Sequence, residues 1–370
     1  MWHGIIINKS PSLGAMSSTF GHMPVLRRDN GANKKRRVSH VAIIALTLCF
    51  PCTGIKGQLP APSDEEPRVD RRVVVTVDDL PGAVPGSDNA MGNLPNLRQW
   101  NHGVVRALVK HHVPGIGFVI EKKLQVSGER DARAAILGEW LQAGLELGNH
   151  TYSHTHFNDA TLQQFEDETL RGEVVTKALL GERGQSERYF RHPALNMGST
   201  PSDQESFAIF LKDHGYKIAP VTVEDADYEF NDVLDNALKK HDRKLAETIR
   251  DLYLKHAQFM FEFVEDASRK LFNREIPQIL LIHDNEINAQ LLDGLLTDLE
   301  NRGYRFISMD EALADPAYEP PEVFRGNLGY CYVCWGDRLL ATGRQSKYPW
   351  ASEPAWVRTE FEEIRRAKSQ

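Results

Sequence analysis

The sequence predicts an α/β fold, a deformed (β/α) barrel in which helices cover a sheet of parallel strands. Short apolar runs with strand character alternate along the 370-residue chain with longer segments whose apolar residues recur at helical spacing. This alternation is typical of parallel strands joined by crossover helices. Polar clusters follow most of the predicted strands, and in barrels of this type the active site forms at the carboxyl ends of the strands.

The elements are predicted in order from residue 71. Arg71–Val77 is the first predicted strand, and its continuous β-branched run Val73–Val77 is of the kind that is buried on both faces. Further strands are expected at 116–120, 145–147, 279–282 and 304–307, with 216–223 extended. Helical spacing predicts helices over 97–111, 132–145, 162–180, 205–214, 289–302 and 309–314, with one or two long helices within 233–272.

The composition of the chain changes at both ends of this pattern. Residues 1–57 combine a basic stretch with a short apolar run and small residues, which predicts a secretory leader and export to the cell envelope or beyond. Met16 and Met23 are alternative starts. A linker is predicted over 58–70, a catalytic domain over 71–315 with a helical insertion at 232–273, and an aromatic-rich extension over 316–370 that packs on the barrel or forms a sugar-binding rim.

Charge and cysteine content limit the functional classes. The net charge of −7 argues against nucleic-acid binding, and no apolar run reaches the roughly 18 residues of a membrane-spanning helix. Cys331 and Cys334 form a Cys-x-x-Cys pair, which is compatible with a local disulfide in an exported protein. A structural metal site at this pair would need two further ligands, and none stands at a familiar spacing.

Two polar clusters are candidates for chemistry. Asp78 and Asp79 follow the first strand directly, and His150 and His154 stand four residues apart after an apolar run that ends at Gly148. Two imidazoles on one helical turn or tight loop, with a carboxylate, suit a divalent metal that keeps a position open for water. Taken alone, the histidines are compatible with solvated positions and the acids with a helix cap. Together they indicate metal-assisted hydrolysis.

The ordered set of motifs resembles the polysaccharide deacetylases, the NodB-homology group of carbohydrate esterase family four. The resemblance covers about residues 71 to 315. It rests on segments that follow one another in the family's order, namely Thr76-Val77-Asp78-Asp79, Gly117–Ile120, Gly144–His154, Arg191-His192-Pro193, Glu224–Tyr228 and Leu280–Asp284.

The resemblance implies the NodB-like form of the barrel and a role for each matching residue. Asp79, His150 and His154 would bind one divalent metal ion, most often zinc in this family. Asp78 would be the general base, with Arg191 holding its carboxylate. His283 would be the general acid, oriented by Asp227, and the backbone amide of Ala194 would help to bind the oxyanion.

The sequence departs from the family pattern at four positions, and the two where an aromatic residue is replaced would face the substrate. Leu80 replaces the usual glycine, Ala194 an aromatic residue, Tyr228 a tryptophan and Glu224 an aspartate. We therefore expect an exported deacetylase that acts on an acetylated carbohydrate polymer or oligosaccharide, at an amide or an ester. One alternative is an amidohydrolase of the same fold that acts on a small non-sugar amide. Another is a non-catalytic carbohydrate-binding protein, which would have no need of Asp78 or His283.

Overall fold

The computed structural model describes residues 69–87, 90–319, 338–339, 342–348 and 353–368. The predicted leader 1–57, residues 58–68 of the predicted linker, and the pair Cys331 and Cys334 lie outside the described residues. Among the described residues, no helix is both long and apolar enough to cross a membrane.

The centre of the structure is a curled sheet of parallel strands, as predicted. Its strands are β1 (Arg71–Leu80), β2 (Ile116–Val119), β3 (Glu146–Asn149), β4 (Tyr189–Phe190), β5 (Lys217–Ile218), β6 (Val223–Glu224), β7 (Gln278–His283) and β8 (Tyr304–Phe306). The spatial order is β5-β4-β3-β2-β1-β7-β6. β7 pairs with one edge of β1. β8 and β2 pair with the other edge, β8 at residues 71–73 and β2 from Thr76 onward.

Helices follow most of the strands. They are α1 (Leu94–Lys110), α2 (Arg130–Gln142), α3 (Leu162–Arg171), α4 (Val174–Gly181), α5 (Pro201–Asp213), α6 (Asp227–Lys239), α7 (Arg243–Phe272), α8 (Glu286–Asn301), α9 (Met309–Leu313) and α10 (Ala355–Lys368). Short 3-10 turns occur at Glu121–Leu124, Phe157–Asp159, Pro193–Leu195 and Pro316–Tyr318.

The side chains of β1 alternate between two parts of the core. Val73, Val75 and Val77 pack with apolar side chains of the covering helices, whereas Val74 packs with residues of the neighbouring strands. This is the period of two expected for a strand buried on both faces. Thr76 shares the inner face with Val74, and its hydroxyl donates to the carbonyl of Leu280 at 2.7 Å. The inner face therefore becomes polar as the strand approaches its carboxyl end.

The predicted helix over 162–180 is wrong, because the segment forms two helices. The break lies at Gly172, which ends α3. There is no room for a side chain at this position, because a Cβ would lie 2.5 Å from the backbone carbonyl carbon of Thr151. The loop that follows β3 thus passes directly over the break. The two candidate histidines lie in that loop.

The long helical stretch resolves into α6 and α7, so it contains two helices. The predicted boundary at residue 232 falls inside α6, which begins at Asp227. In the C-terminal extension, α10 packs on α6 through Val357 and Phe361, both of which are buried.

Candidate metal and catalytic site

The carboxyl end of β1 brings two adjacent carboxylates to one cavity. Neighbouring residues of a regular strand point to opposite faces. Here the pairing register with β2 shifts between Val77 and Leu80, and Asp79 adopts a positive φ of 71°. This irregularity turns the side chain of Asp79 so that Asp78 and Asp79 both line the same cavity.

The loop after β3 holds the two histidines without a helix. Asn149, the last residue of β3, fixes the start of the loop: its side-chain oxygen accepts from the backbone N–H of Thr151 at 2.8 Å, and its amide donates to the carbonyl of Thr169 at 3.0 Å. Thr151 and His154 have positive φ values of 63° and 57°. The rings of His150 and His154 consequently lie on one side, with centroids 5.0 Å apart.

Asp79, His150 and His154 form a possible metal site. Their ligand atoms all lie within 4.8 Å of one another, and all three side chains are buried. Oδ1 of Asp79 lies 3.5 Å from Nε2 of His150 and 3.4 Å from Nε2 of His154. That oxygen is buried and has no hydrogen-bond partner among the described residues. Two imidazoles and one carboxylate are the donor set that suits a hydrolytic zinc ion, so the residues fit the predicted metal.

Two interactions favour the metal-binding forms of these ligands. His150 uses Nδ1 for a 2.8 Å hydrogen bond with the backbone carbonyl of Arg191, so its Nε2 is the nitrogen free of a proton in the neutral ring. Burial acts against a charged Asp79, but the ammonium of Lys123, ahead of the neighbouring histidines, outweighs it and holds the pKa of the Asp79 carboxyl well below its usual range.

Arg191 positions Asp78. Its Nη1 lies 3.1 Å from both carboxylate oxygens of Asp78, and its Nη2 donates to the hydroxyl of Thr76 at 2.9 Å. A further bond from Nε reaches the carbonyl of Ala219, and the guanidinium stacks over the ring of Phe118. Because these contacts fix a fully buried guanidinium, Asp78 keeps an ionic partner and a defined orientation at the cavity wall.

His283, at the end of β7, pairs with Asp227 at the start of α6. Its Nδ1 lies 2.7 Å from Oδ1 of Asp227, and its backbone N–H donates to Oδ2 at 2.9 Å. The side-chain amides of Asn285 and Asn288 also donate to that Oδ2, at 2.7 and 2.6 Å. Hydrogen bonds with three residues thus fix the position of the Asp227 side chain.

The charges around His283 favour its protonated form. Burial opposes the imidazolium, but the carboxylates of Asp227, Asp79 and Asp78 outweigh burial and raise the pKa of His283 to about 10. An imidazole in this setting carries a proton at neutral pH, as a general acid requires.

All the candidate site residues except the two positioning residues Arg191 and Asp227 line one cavity of about 410 Å³. Ala194 lies on a 3-10 turn with a positive φ of 49° and contributes to the wall. Tyr228 packs edge-on against His283, with ring centroids 5.7 Å apart. The structure therefore brings the nine residues singled out in the sequence into a single constellation.

Several residues of the site were not identified from the sequence. Lys123 is buried, lies 3.6 Å from Oδ2 of Asp79 and donates to the carbonyl of Gly82. Asp284 is fully buried with no hydrogen-bond partner for its carboxyl oxygens among the described residues, and burial raises its pKa to about 8. Phe361 and Arg365 of α10 also line the cavity. No local pattern distinguishes Lys123, Phe361 and Arg365 from ordinary surface or core positions. Asn149 and Asp284 stand inside segments that match the family and could have been identified there.

Comparison with protein-family models agrees with the family resemblance inferred from the motifs. Residues 65–219 match the model of the polysaccharide deacetylase family, which confirms the resemblance over that part of the chain. No curated protein matches the chain.

The solved structures that are similar to this chain are distant in sequence. A pseudoenzyme of carbohydrate esterase family 4 from Bacillus anthracis is 16% identical, with 66% of each chain covered and a TM-score of 0.44; the chain thus spans about two thirds of that protein. A family 4 carbohydrate esterase from Streptomyces lividans in complex with acetate is 17% identical, with 66% and 96% covered and a TM-score of 0.42. A family 4 acetyl xylan esterase from Clostridium thermocellum in complex with a cobalt ion has the same identity and TM-score, with 66% and 91% covered.

Proposed function

Because residues 65–219 match the polysaccharide deacetylase family, we propose that this protein is a metal-dependent hydrolase that removes acetyl groups from an acetylated carbohydrate. The observation that carries the proposal is the meeting of a possible metal site with two separately supported acid–base groups in one cavity. Asp78 has its own arginine and His283 its own carboxylate, and a protein that only binds sugar needs neither pair.

Asp79, His150 and His154 would hold the ion, and their nitrogen and oxygen donors suit zinc. When bound, such an ion lowers the pKa of water and polarises a carbonyl oxygen. The protein's own contribution at this point is to keep the three ligands buried and converged. The carbonyl of Arg191 fixes the ring orientation of His150, and Lys123 favours the charged carboxylate of Asp79.

Asp78 is the proposed general base. It accepts a proton from the attacking water as the new C–O bond forms at the acetyl carbon. Arg191 keeps the Asp78 carboxylate in place through a buried salt bridge. Ala194, through its backbone amide, is proposed to stabilise the oxyanion at the cavity wall.

His283 is the proposed general acid. Because its Nδ1 bonds Asp227, its Nε2 is the nitrogen that donates a proton to the leaving group as the C–N bond breaks. An amine leaves poorly unless it is protonated, and the raised pKa of His283 ensures that the proton is present near neutral pH. This favours cleavage of an N-acetyl amide, with acetate and a free amino sugar as products. Tyr228 is proposed to contact the sugar face.

We also propose that the protein is exported, as residues 1–57 predict. A secretory leader within residues 1–57 would place the enzyme where acetylated cell-wall or extracellular polymers occur.

The test is acetate release from N-acetylated chitooligosaccharides, peptidoglycan and acetylated xylan, with and without added divalent metal. We expect metal-dependent release from at least one of these, and loss of release in Asp79→Ala. Cleavage of small non-sugar amides without any sugar substrate would support the small-amide alternative. Binding of sugars with no acetate release under any metal condition would contradict the proposed activity.

A further inference from the structure

The C-terminal helix α10 forms part of the cavity that contains the catalytic groups. Phe361 and Arg365 line it together with Ala83 and Val84, from the loop after β1. Tyr228 and Asp232 of α6 complete this side. Three separate parts of the chain therefore meet at one wall of the cavity.

Hydrogen bonds join the three parts into a continuous wall. One carboxylate oxygen of Asp232 accepts from the backbone N–H of Gly86 at 2.9 Å and lies 3.3 Å from Nε of Arg365. Lys368, one turn further along α10, donates to the carbonyl of Pro85 at 2.7 Å. A Cβ on Gly86 would lie 2.2 Å from Cδ of Lys368, so α10 and the loop after β1 are in direct contact.

Aromatic packing connects this wall to the proposed general acid. The ring of Phe361 packs edge-on against Tyr228 at 5.5 Å, and Tyr228 packs edge-on against His283 at 5.7 Å. Phe361 is buried beneath this contact with Val357 and side chains of α6. The position of Tyr228, and with it the width of the cavity next to His283, thus depends on α10.

On the basis of the proposed deacetylase function, we infer that α10 closes one side of the catalytic cleft and restricts the substrate to the end of a sugar chain or a short amino-sugar oligosaccharide. An internal unit of a polymer needs a groove that is open on both sides of the reacting acetyl group, and the joined wall blocks one of them. The cavity of about 410 Å³ lies at the small end of ligand sites, which is consistent with one or two sugar units. Phe361 and Arg365 are specificity-determining residues in this account.

The experiment measures binding and the position of the removed acetyl group separately. The probes are fully N-acetylated chitobiose and chitohexaose, and binding is measured by calorimetry on the full chain carrying Asp78→Asn, which suppresses turnover. We expect the two dissociation constants to agree within about threefold, because a cavity that holds one or two sugar units leaves the further units of chitohexaose in solvent. Mass spectrometry of wild-type products from chitohexaose should show loss of acetyl from a terminal unit only.

Variants of α10 test the wall itself. Phe361→Ala and Arg365→Ala should each weaken chitobiose binding by roughly tenfold, the effect of losing a central side-chain contact. Each should also allow acetyl loss from internal units. Arg366→Ala is the matched control, since this neighbouring arginine has a side chain 68% exposed and pairs with Glu362 on the same helix. It should change neither readout, and thermal unfolding should show that all three variants are folded.

Binding of chitohexaose more than about tenfold tighter than chitobiose would overturn the inference, because it would indicate an extended groove. Acetyl loss from internal units by the wild-type protein, or no binding of either sugar, would overturn it as well. Length-independent binding without any acetate release would support the closed site and contradict the proposed function alone.

Discussion

Asp78 and Asp79 are neighbours in the chain but have different partners. Asp78 lies against Arg191, whereas one oxygen of Asp79 faces two imidazoles and has no hydrogen-bond partner among the described residues. We therefore predict that Asp79→Ala abolishes metal retention and activity together. Asp78→Asn should retain the metal, and its turnover rate should fall by about 10²–10⁴-fold, the usual contribution of a general acid–base group. Metal content by mass spectrometry and acetate release check both variants.

The control for this pair is Asp293→Asn on α8, which removes a half-exposed carboxylate that is not among the residues lining the cavity. It should keep both metal and activity. Equal metal loss in the Asp78 and Asp79 variants would show that the two carboxylates share one role.

The pairing of His283 with Asp227 predicts the basic side of the pH–rate profile. As the proposed general acid, His283 would act in its protonated form, so amide cleavage should fall as the pH rises through its pKa of about 10. Asp227→Asn removes the carboxylate that favours the imidazolium. The fall should then occur at a pH lower by about 1–3 units, the size of shift expected from one opposite charge. A profile measured on an N-acetylated oligosaccharide checks the direction.

Leaving-group chemistry separates His283 as an acid from His283 as a structural residue. His283→Ala should reduce amide cleavage by about 10²–10⁴ but leave hydrolysis of an activated aryl acetate much less affected, since a phenolate leaves without a proton. His102→Ala, on the exposed face of α1, is the matched control. Equal losses on the two substrates would remove the acid role from His283.

At the scale of elements, the break between α3 and α4 is coupled to the loop that carries the metal ligands. A Cβ at Gly172 would lie 2.5 Å from the backbone of Thr151, one residue after His150. Gly172→Ala should therefore destabilise the protein by about 1–3 kcal/mol, as overpacking usually does. It should also weaken metal binding, because the loop must move. Thermal unfolding and metal titration measure the two effects.

Gly138→Ala is the matched control, because Gly138 lies within α2 and an added Cβ there meets nothing within 4 Å. Alanine favours helix more than glycine does, so this variant should be unchanged or stabilised by up to about 1 kcal/mol. A Gly172→Ala variant as stable and as metal-binding as Gly138→Ala would refute the coupling between the helix break and the loop.

The sequence predicts most elements because their apolar periods are local. β1 and β7 are continuous apolar runs, and α1 has a clear apolar stripe. The break at Gly172 was missed because its cause is the loop after β3, about 20 residues away in sequence but in contact in space. The irregularity of β1 at Asp79 was missed for a similar reason, since it is defined only by pairing with β2.

At the scale of the whole molecule, the grouping of the candidate site residues was predictable because parallel strands converge at their carboxyl ends. Asp79 lies at the carboxyl end of β1, His150 follows β3 and His283 ends β7, so knowing the strands was enough to expect these residues together. The contribution of α10 was not predictable in this way. The aromatic content of the extension indicates that it packs, but the partner surface on α6 depends on contacts between segments more than 100 residues apart.

The N-terminal prediction also belongs to this scale. A chain that starts at residue 58 retains every described element, since β1 begins at Arg71. We expect it to be soluble, to unfold cooperatively and to bind metal as the full chain does. Aggregation of this shorter chain under conditions in which the full chain is soluble would contradict the assignment of residues 1–57 as a leader.

The central claim is that one metal ion held by Asp79, His150 and His154 supports deacetylation. The most direct test is a titration of metal-free protein with Zn²⁺ while acetate release from an N-acetylated chitooligosaccharide is measured. We predict that metal-free protein releases no acetate, and that the rate of release rises with added Zn²⁺ until one ion is bound per chain. Acetate release that persists at full rate in the metal-free protein, or an equal response to Zn²⁺ in His150→Ala, would contradict the account.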